Sequence, residues 1–124
     1  ILDRRHEIIR RYDEKLSGHG LLLPRHAGEG FRSSGHLYIV RIEGADEAKR
    51  NEIIVRMGER EIACNVHYKP LPMFTAYQRL GFNIKDYPNA FDLYHNAISL
   101  PLNTCLTDEQ VDFVVDNLID ILGQ

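Results

Sequence analysis

The most chemically versatile side chains of the sequence stand together in the stretch Cys64–Pro72. His67, Tyr68 and Lys69 come directly before two prolines, which end regular structure. Functional side chains often lie where a strand gives way to a loop, because the scaffold is rigid and the loop is exposed. An imidazole can donate, accept or transfer a proton near neutral pH. We therefore take these three residues as candidate ligand-binding residues. The competing interpretation is a strand-end pair with one ring packed and the other solvated.

A further candidate, His36, follows Ser33-Ser34-Gly35 at the start of the clearest predicted strand. A histidine beside small hydroxyl groups could bind an anion or a carbonyl group. It could equally be an exposed residue at a strand entry. Arg25 and Arg32 flank this segment and could contact a phosphate, although solvated arginine is the default interpretation. The glycines here fit no phosphate-loop spacing.

Cys64 and His67 have a C-x-x-H spacing, which raises the question of a metal site. Zinc sites use about four ligands, and no second cluster completes the set. On a strand, residues three positions apart face opposite sides. A cysteine packed in the core is therefore favoured, and no metal is expected. No Ser-His-Asp or Cys-His nucleophile set is evident either, so no catalytic residue is assigned.

Composition and charge narrow the class of protein. The 124 residues are enough for one domain with its own core, and 44% are hydrophobic. A net charge of -3 argues against nucleic acid as a partner. No apolar run is long enough to cross a membrane. The two cysteines, Cys64 and Cys105, form no disulfide framework, which favours a reducing compartment. We expect a soluble cytoplasmic protein.

Hydrophobic periodicity and capping signals predict the elements of the first half. Asp46 is the predicted N-cap of the second helix, and Gly58 is placed just past its end. The predicted elements are a helix over 1–17, an extended segment over 21–23, a loop over 24–30, a strand over 31–43 and a helix over 46–57.

The second half is predicted to be more irregular until its last helix. Thr107 and Gln110 form a capping-box pattern before an apolar stripe at helical spacing. The other predicted elements are a strand over 61–67, short helices over 73–80 and 89–97 with a loop over 82–88 between them, and an extended segment over 98–102. The proline in this last segment predicts an edge strand or a strand end. This order predicts an α+β two-layer fold, with a sheet of three or four strands covered mainly on one face by helices.

Three segments occur in an order and spacing typical of one protein family. They are His36–Arg41, Val66–Leu71, and Ser99–Leu102 leading into Leu106–Val111. Together they resemble the C-terminal part of the DegT/DnrJ/EryC1/StrS family of sugar aminotransferases, over nearly the whole chain. Residues 1–17 are similar to the end of the long helix that joins the family's two domains. Residues 18–124 are similar to its small C-terminal domain.

The resemblance implies the aspartate-aminotransferase type of pyridoxal-phosphate fold. It also implies transfer of an amino group, commonly from glutamate, to a keto sugar attached to a nucleotide, in surface-polysaccharide or amino-sugar biosynthesis. The lysine that binds pyridoxal 5'-phosphate belongs to the family's large N-terminal domain, which is absent from this chain. The chain alone is therefore expected to bind no cofactor and to be inactive. The family's active site is completed across a homodimer.

The resemblance also implies roles for four residues. His36 matches a family histidine near the substrate side of the cleft, and His67 and Tyr68 match a His-Tyr pair at the domain interface. Lys69 stands at a variable position, and contact with the phosphates of the sugar nucleotide is the hypothesis for it. All four are expected to be substrate-binding residues.

Two departures from the family pattern bear on the identity of the substrate. Gly35 stands where a bulkier residue is frequent, and Pro72-Met73 where a histidine often occurs. An alternative to the aminotransferase is a stand-alone small-ligand-binding or regulatory module that uses the region of His36 and His67. A small metal-binding domain is a weaker third alternative.

Overall fold

A three-stranded antiparallel sheet, with one helix layer against it, forms the centre of the computed structural model, which describes residues 1–124. In chain order the elements are α1 (Leu2–Leu16), β1 (Leu21–Leu22), β2 (Ala27–Gly28), β3 (Phe31–Arg32), β4 (Tyr38–Ile42), α2 (Glu47–Glu59), α3 (Thr75–Arg79), α4 (Pro88–His95), β5 (Ala97–Leu100) and α5 (Asp108–Leu122). Single 3-10 turns cover Leu71–Met73 and Ile84–Asp86. The strand order is β1-β4-β5, so the edge position predicted for the last strand is confirmed.

The core lies between this sheet and α1, α2 and α5. Alternation along β4 turns Tyr38, Val40 and Ile42 toward the helices, and all three are buried. The helices contribute apolar residues at helical spacing, including Ile8, Tyr12, Leu16, Ile53, Met57, Val111, Val115 and Leu118. Burial of such side chains stabilises the fold by about 1.5–3 kcal/mol each. The α+β fold with a three-stranded sheet is confirmed.

Polar contacts fix α1 against the sheet and α5. Tyr12 donates a hydrogen bond to the carbonyl of Pro101 (2.7 Å), and Tyr38 donates to the Asp13 carboxylate (2.6 Å). On the outer side, Arg11 forms two 2.7 Å bonds to Asp112 of α5. The capping box predicted for α5 and the Asp46 cap of α2 are both confirmed. No helix is long and apolar enough to span a bilayer.

The single strand predicted over 31–43 is wrong, because the chain bends in its middle. Phe31–Arg32 pairs with Ala27–Gly28 in a separate hairpin, so the predicted loop over 24–30 contains a short strand. Gly35 then has φ of +64°, which β-branched and bulky residues avoid. Its position would bring an added Cβ within 3.1 Å of Ile9, so α1 packs closely at the bend. The longer strand begins only at Tyr38.

The strand predicted over 61–67 is also wrong. Only Asn65 pairs with a neighbour, in an isolated bridge to Ser99, and Glu61 has φ of +63°. The side chains nevertheless alternate in burial, with Ile62 buried and Ala63 exposed. The predicted alternation of buried and exposed side chains is therefore present, but the hydrogen bonds that would make this segment a strand are missing.

Several predicted boundaries shift by a few residues. The second helix continues through Gly58 to Glu59. The short helix predicted over 73–80 is divided between a 3-10 turn and α3, and the predicted loop over 82–88 contains another 3-10 turn. The next helix ends at His95, and Ala97 begins β5.

Candidate functional site

The face of the sheet that points away from the helix layer carries the candidate site. Ile39 and Arg41 of β4 project to this face and line a cavity of about 350 Å³. The other lining residues are Leu22, Leu23, Pro24, His67 and Leu93. Two polar side chains therefore face an otherwise apolar cavity, which is the usual composition of a ligand pocket.

Two further cavities continue from His67 along the chain. The first, of about 520 Å³, is lined by His67, Tyr68, Lys69, Pro70, Leu71, Ala90, Leu93 and Tyr94. The second, of about 450 Å³, is lined by Pro70, Leu71, Pro72, Tyr77, Phe82, Tyr87 and Ala90. Neighbouring cavities share lining residues, so the three form one depression, which we call the sheet-face trough. Its polar groups lie at the His67 end and its aromatic rings at the other.

His67 is oriented by a residue of the edge strand β5. Its Nδ1 lies 2.7 Å from Oγ of Ser99, whose side chain is buried. The backbone of Ser99 exchanges two hydrogen bonds with Asn65, at 3.2 and 2.8 Å. Because Nδ1 is occupied by Ser99, Nε2 is the ring nitrogen left for a ligand. The imidazole is thus fixed to the sheet through a short, partly buried contact.

Tyr68 and Lys69 extend from this anchored histidine into solvent. Tyr68 is 73% exposed, and its ring meets the His67 ring edge-on with centroids 4.8 Å apart. The peptide bond between His67 and Tyr68 is cis. The Lys69 ammonium lies 5.5 Å from the centroid of the Phe74 ring. Both side chains are therefore available to a ligand in the trough.

The structure places His36 away from these three residues. It is exposed, it does not line the sheet-face trough, and its carbonyl accepts a 3.3 Å hydrogen bond from Arg5 of α1. The structure thus brings together His67, Tyr68 and Lys69. A role for His36 in substrate binding stays a prediction.

Two residues of the site, Ser99 and Arg41, do not stand out in the sequence analysis. Arg41 donates to the side chain of Asn96 (3.0 Å) and to the carbonyl and carboxylate of Asp92 (2.8 and 3.1 Å). It thereby ties α4 to the open face of the sheet. Each is an isolated polar residue within an apolar strand, and this pattern could have identified both as candidate site residues from the sequence.

Cys64 lacks the properties of a metal ligand. It packs against the core, and burial raises the pKa of its thiol to about 11, so the thiol is protonated at neutral pH. Metal binding and nucleophilic attack require the thiolate. No three or more His, Cys, Asp or Glu side chains converge on a common point that could hold an ion.

The open face of the helix-backed sheet thus carries a largely apolar depression with a few polar groups at one end, which is the usual composition of a ligand-binding site. Residues 1–119 match the model of the DegT/DnrJ/EryC1/StrS aminotransferase family. The chain belongs to this family, as the three sequence segments indicate.

The chain is similar to proteins of polysaccharide and amino-sugar synthesis. The spore coat polysaccharide biosynthesis protein SpsC of Bacillus subtilis is 34% identical over 96% of this chain and 31% of its own length. A UDP-4-amino-4,6-dideoxy-N-acetyl-beta-L-altrosamine transaminase of Helicobacter pylori is 29% identical over 96% of this chain and 32% of its own length. The solved structure of Spr1654 of Streptococcus pneumoniae superposes with a TM-score of 0.96 at 44% identity, over 99% of this chain and 31% of that one. The chain spans about a third of these relatives.

No lysine of this chain has the surroundings of a lysine that binds pyridoxal phosphate. Spr1654 has been solved in a PLP-form and a PMP-form, so the cofactor belongs to the family. A lysine that binds such a cofactor is desolvated or lies beside another cation. All four lysines here are exposed, and Lys15 and Lys49 are paired with Asp112 and Glu52.

Proposed function

We propose that this chain is the small C-terminal domain of a pyridoxal-phosphate-dependent aminotransferase acting on a nucleotide-linked keto sugar. Residues 1–17 end the interdomain helix, and residues 18–124 form the small domain. The cofactor lysine lies in the large domain outside this chain, glutamate is the amino donor, and the isolated chain is inactive. The full-length enzyme is a cytoplasmic homodimer of surface-polysaccharide or amino-sugar biosynthesis. The family match and the one-third coverage of the relatives support this proposal.

The sheet-face trough is the observation that carries the proposal. A sugar nucleotide offers hydroxyl groups and phosphates together with apolar ring faces. In this proposal, Nε2 of His67, which is left open by the contact of Nδ1 with Ser99, hydrogen-bonds a sugar oxygen, and the Lys69 ammonium binds a phosphate. The apolar remainder of the trough would exclude water from the bound substrate.

In this proposal, the residues of the chain orient the substrate, while the bound cofactor supplies the electron sink that amino-group transfer needs. Ser99 acts through His67 by holding its ring in one orientation. Tyr68 is exposed next to it and can close over a bound ligand. These contacts are positioning interactions, which accelerate a reaction by holding the reacting groups in a productive arrangement.

The segment between Ala63 and Leu93 has the surface expected of a region that another polypeptide covers. It contains α3 and most of α4 but no buried residue. Its exposed large apolar side chains are Tyr68, Leu71, Phe74, Tyr77, Leu80, Phe82, Tyr87, Phe91 and Leu93. Contiguous exposed apolar surface marks an interaction site. In the proposed enzyme the large domain and the second subunit cover it.

The proposal is tested on the full-length protein with glutamate and a UDP-linked keto sugar. We expect the visible absorbance of bound pyridoxal phosphate and the formation of 2-oxoglutarate, and neither from the 124-residue chain. His67→Ala should raise KM for the sugar nucleotide by about 5- to 10-fold with a smaller change in kcat, as expected for the loss of one binding hydrogen bond. Ser99→Ala should shift KM in the same direction by less.

His19→Ala is the matched control, because His19 is exposed in the turn after α1 and lies outside the trough. Its KM should equal that of the unmodified protein. Equal effects of His19→Ala and His67→Ala would refute the role of His67 while leaving the activity intact. A full-length protein that binds no pyridoxal phosphate and produces no 2-oxoglutarate would refute the aminotransferase itself.

A further inference from the structure

A second groove lies between α1 and the hairpin of β2 and β3. It has a volume of about 440 Å³, and α1 lines it with the side chains of one helix face, spaced three and four residues apart. The segment Leu23–Pro24 separates it from the sheet-face trough, because these two residues line both. The polar residues that line it are His6, Arg10, Asp13, Arg25, His26 and Arg32.

The arginines of this groove are unusually free of partners. Arg10 and Arg25 make no hydrogen bond and no ion pair, and the only other such arginine in the chain is Arg79. Arg25 instead lies over the Phe31 ring at 5.2 Å. Two unpaired guanidinium groups therefore border one concavity, in a chain whose net charge is -3.

The groove has a single carboxylate in its lining, and that carboxylate already accepts a hydrogen bond. Asp13 is the only carboxylate that lines it, and its Oδ1 accepts a 2.6 Å hydrogen bond from Tyr38. Asp3 pairs with Arg32 at 3.2 Å, but its side chain is 91% exposed, so solvent screens this pair strongly. The three arginines against one carboxylate leave the groove with an excess of positive charge.

Two histidines form its polar floor around Ser33. His6 Nε2 lies 2.9 Å from the Ser33 carbonyl oxygen, and His26 Nδ1 lies 2.7 Å from the Ser33 hydroxyl oxygen. That hydroxyl oxygen accepts from the backbone N–H of Gly35 (3.0 Å), so its own hydrogen is free to be donated to His26. Neutral His26 then carries its hydrogen on Nε2, which is buried and has no acceptor. A residue that lines the groove together with the free arginines therefore carries an unsatisfied donor.

We propose that this groove binds a phosphate or diphosphate group. The planar fork of each free guanidinium group, on Arg10 and on Arg25, can donate two parallel hydrogen bonds to phosphate oxygens, and His26 of the same lining carries a further unpaired donor. The phosphate could belong to a free anion or to a nucleotide. The inference does not rest on transamination, because it concerns binding alone.

The test uses the full-length, cofactor-loaded protein with pyrophosphate as the first probe. Calorimetry measures affinity, and the ring NMR signals of His26, assigned with His26→Gln, report occupancy of this groove. The double variant Arg10→Gln/Arg25→Gln removes both free guanidinium groups. The control Lys49→Gln/Arg56→Gln removes two positive charges from α2. Thermal melts show whether each variant is folded.

We expect saturable pyrophosphate binding that shifts the His26 signals. The groove variant should weaken it by about 10-fold or more, as the loss of charge-assisted hydrogen bonds predicts, and the α2 control should change it by less than about 2-fold. A parallel titration with UDP distinguishes the sources. Tighter binding of UDP than of pyrophosphate, with the same dependence on Arg10 and Arg25, assigns the phosphate to a nucleotide, and equal binding assigns it to a free anion.

The proposal is overturned if neither probe shifts the His26 signals of the unmodified protein, a result that does not depend on the folding of any variant. It is also overturned if the groove and control variants weaken binding equally, because the effect would then be general charge. Loss of transaminase activity, with pyrophosphate binding retained, would bear only on the proposed function.

Discussion

Arg50 offers a direct test of which interactions stabilise the fold, because it is a cation with only 1% of its surface exposed. Its Nη1 donates to the carbonyls of Tyr94 (2.9 Å) and Ala97 (3.0 Å), and its Nε donates to Asn51 (2.8 Å). The guanidinium carbon lies 4.7 Å from the centroid of the Tyr94 ring. Glu47 is the nearest carboxylate, at 3.9 Å. Arg50 therefore joins α2 to α4 and β5.

The carbonyl of Ala97 explains why an arginine is needed there. Ser99 uses the outer edge of β5 to pair with Asn65, and the carbonyl two residues earlier points to the same edge. No strand continues along this edge, so Arg50 supplies the missing donor to Ala97. Removing the donor leaves a buried carbonyl oxygen unsatisfied.

We predict that Arg50→Met lowers the free energy of unfolding by about 3–4 kcal/mol. Two charge-assisted hydrogen bonds contribute about 1.5–3 kcal/mol each, and the relief from burying a charge offsets part of their loss. Arg50→Lys should cost about 2 kcal/mol, because an ammonium keeps the charge but cannot reproduce the fork or the stacking on Tyr94. The control Arg56→Met, on the same helix, breaks only a 3.8 Å pair with exposed Glu52. It should cost about 0.5 kcal/mol or less.

Equilibrium urea unfolding of the 124-residue chain, followed by far-ultraviolet circular dichroism, measures these differences. The m-value should stay constant, so that a change in midpoint reports stability alone. Light scattering checks that the exposed apolar segment does not cause association. If Arg50→Met and Arg56→Met unfold at the same urea concentration, Arg50 does not stabilise the fold through the carbonyls of Tyr94 and Ala97.

Two further predictions concern the bend at Gly35 and the contact of α1 with α5. Gly35→Ala should destabilise the chain by about 1–2 kcal/mol more than Gly44→Ala, as measured by urea unfolding. Both glycines have positive φ, but only a Cβ at Gly35 meets α1. Hydrogen bonding to Arg11 holds the pKa of Asp112 well below its ordinary value of 3.8. This pair therefore stabilises the fold above pH 3.8, and the contribution is lost as the pH falls through the lower folded pKa. Asp112→Asn should therefore reduce the amount by which the free energy of unfolding decreases below pH 3.8. Asp116→Asn, on the exposed face of α5, is the control and should not change this decrease.

The regular helices could be predicted because their signals are local. Asp46 and Thr107 cap α2 and α5 through contacts within three residues, and apolar spacing identified the buried faces. The strands were harder to predict, because the pairing of a strand depends on which residues the tertiary fold brings to its edges. The alternation over 61–67 is real in burial, yet only Asn65 finds a partner on β5. No local pattern shows that Arg50 takes the next position on that edge.

The site could be predicted in part for the same reason. His67, Tyr68 and Lys69 are adjacent in sequence, so their grouping needs no tertiary information. The contact of His67 with Ser99 joins residues 32 positions apart and could not be derived from spacing. The position of His36 depends on the bend at Gly35, which turns the chain toward α1 before the longer strand begins.

The two ends of the sheet-face trough differ in how firmly the core of the chain holds them. At the polar end, the C-terminal turn of α4 is held by Arg41 through Asp92 and by Arg50 through Tyr94, both from core elements. No residue from Ala63 to Leu93 is buried, so the aromatic end has no comparable anchor. Ordering a backbone costs about 1–2 kcal/mol per residue, and burial is the main term that offsets it. The domain itself therefore fixes the position of α4 beside His67. In the proposed enzyme, the aromatic end of the trough takes its final form against the polypeptide that covers it.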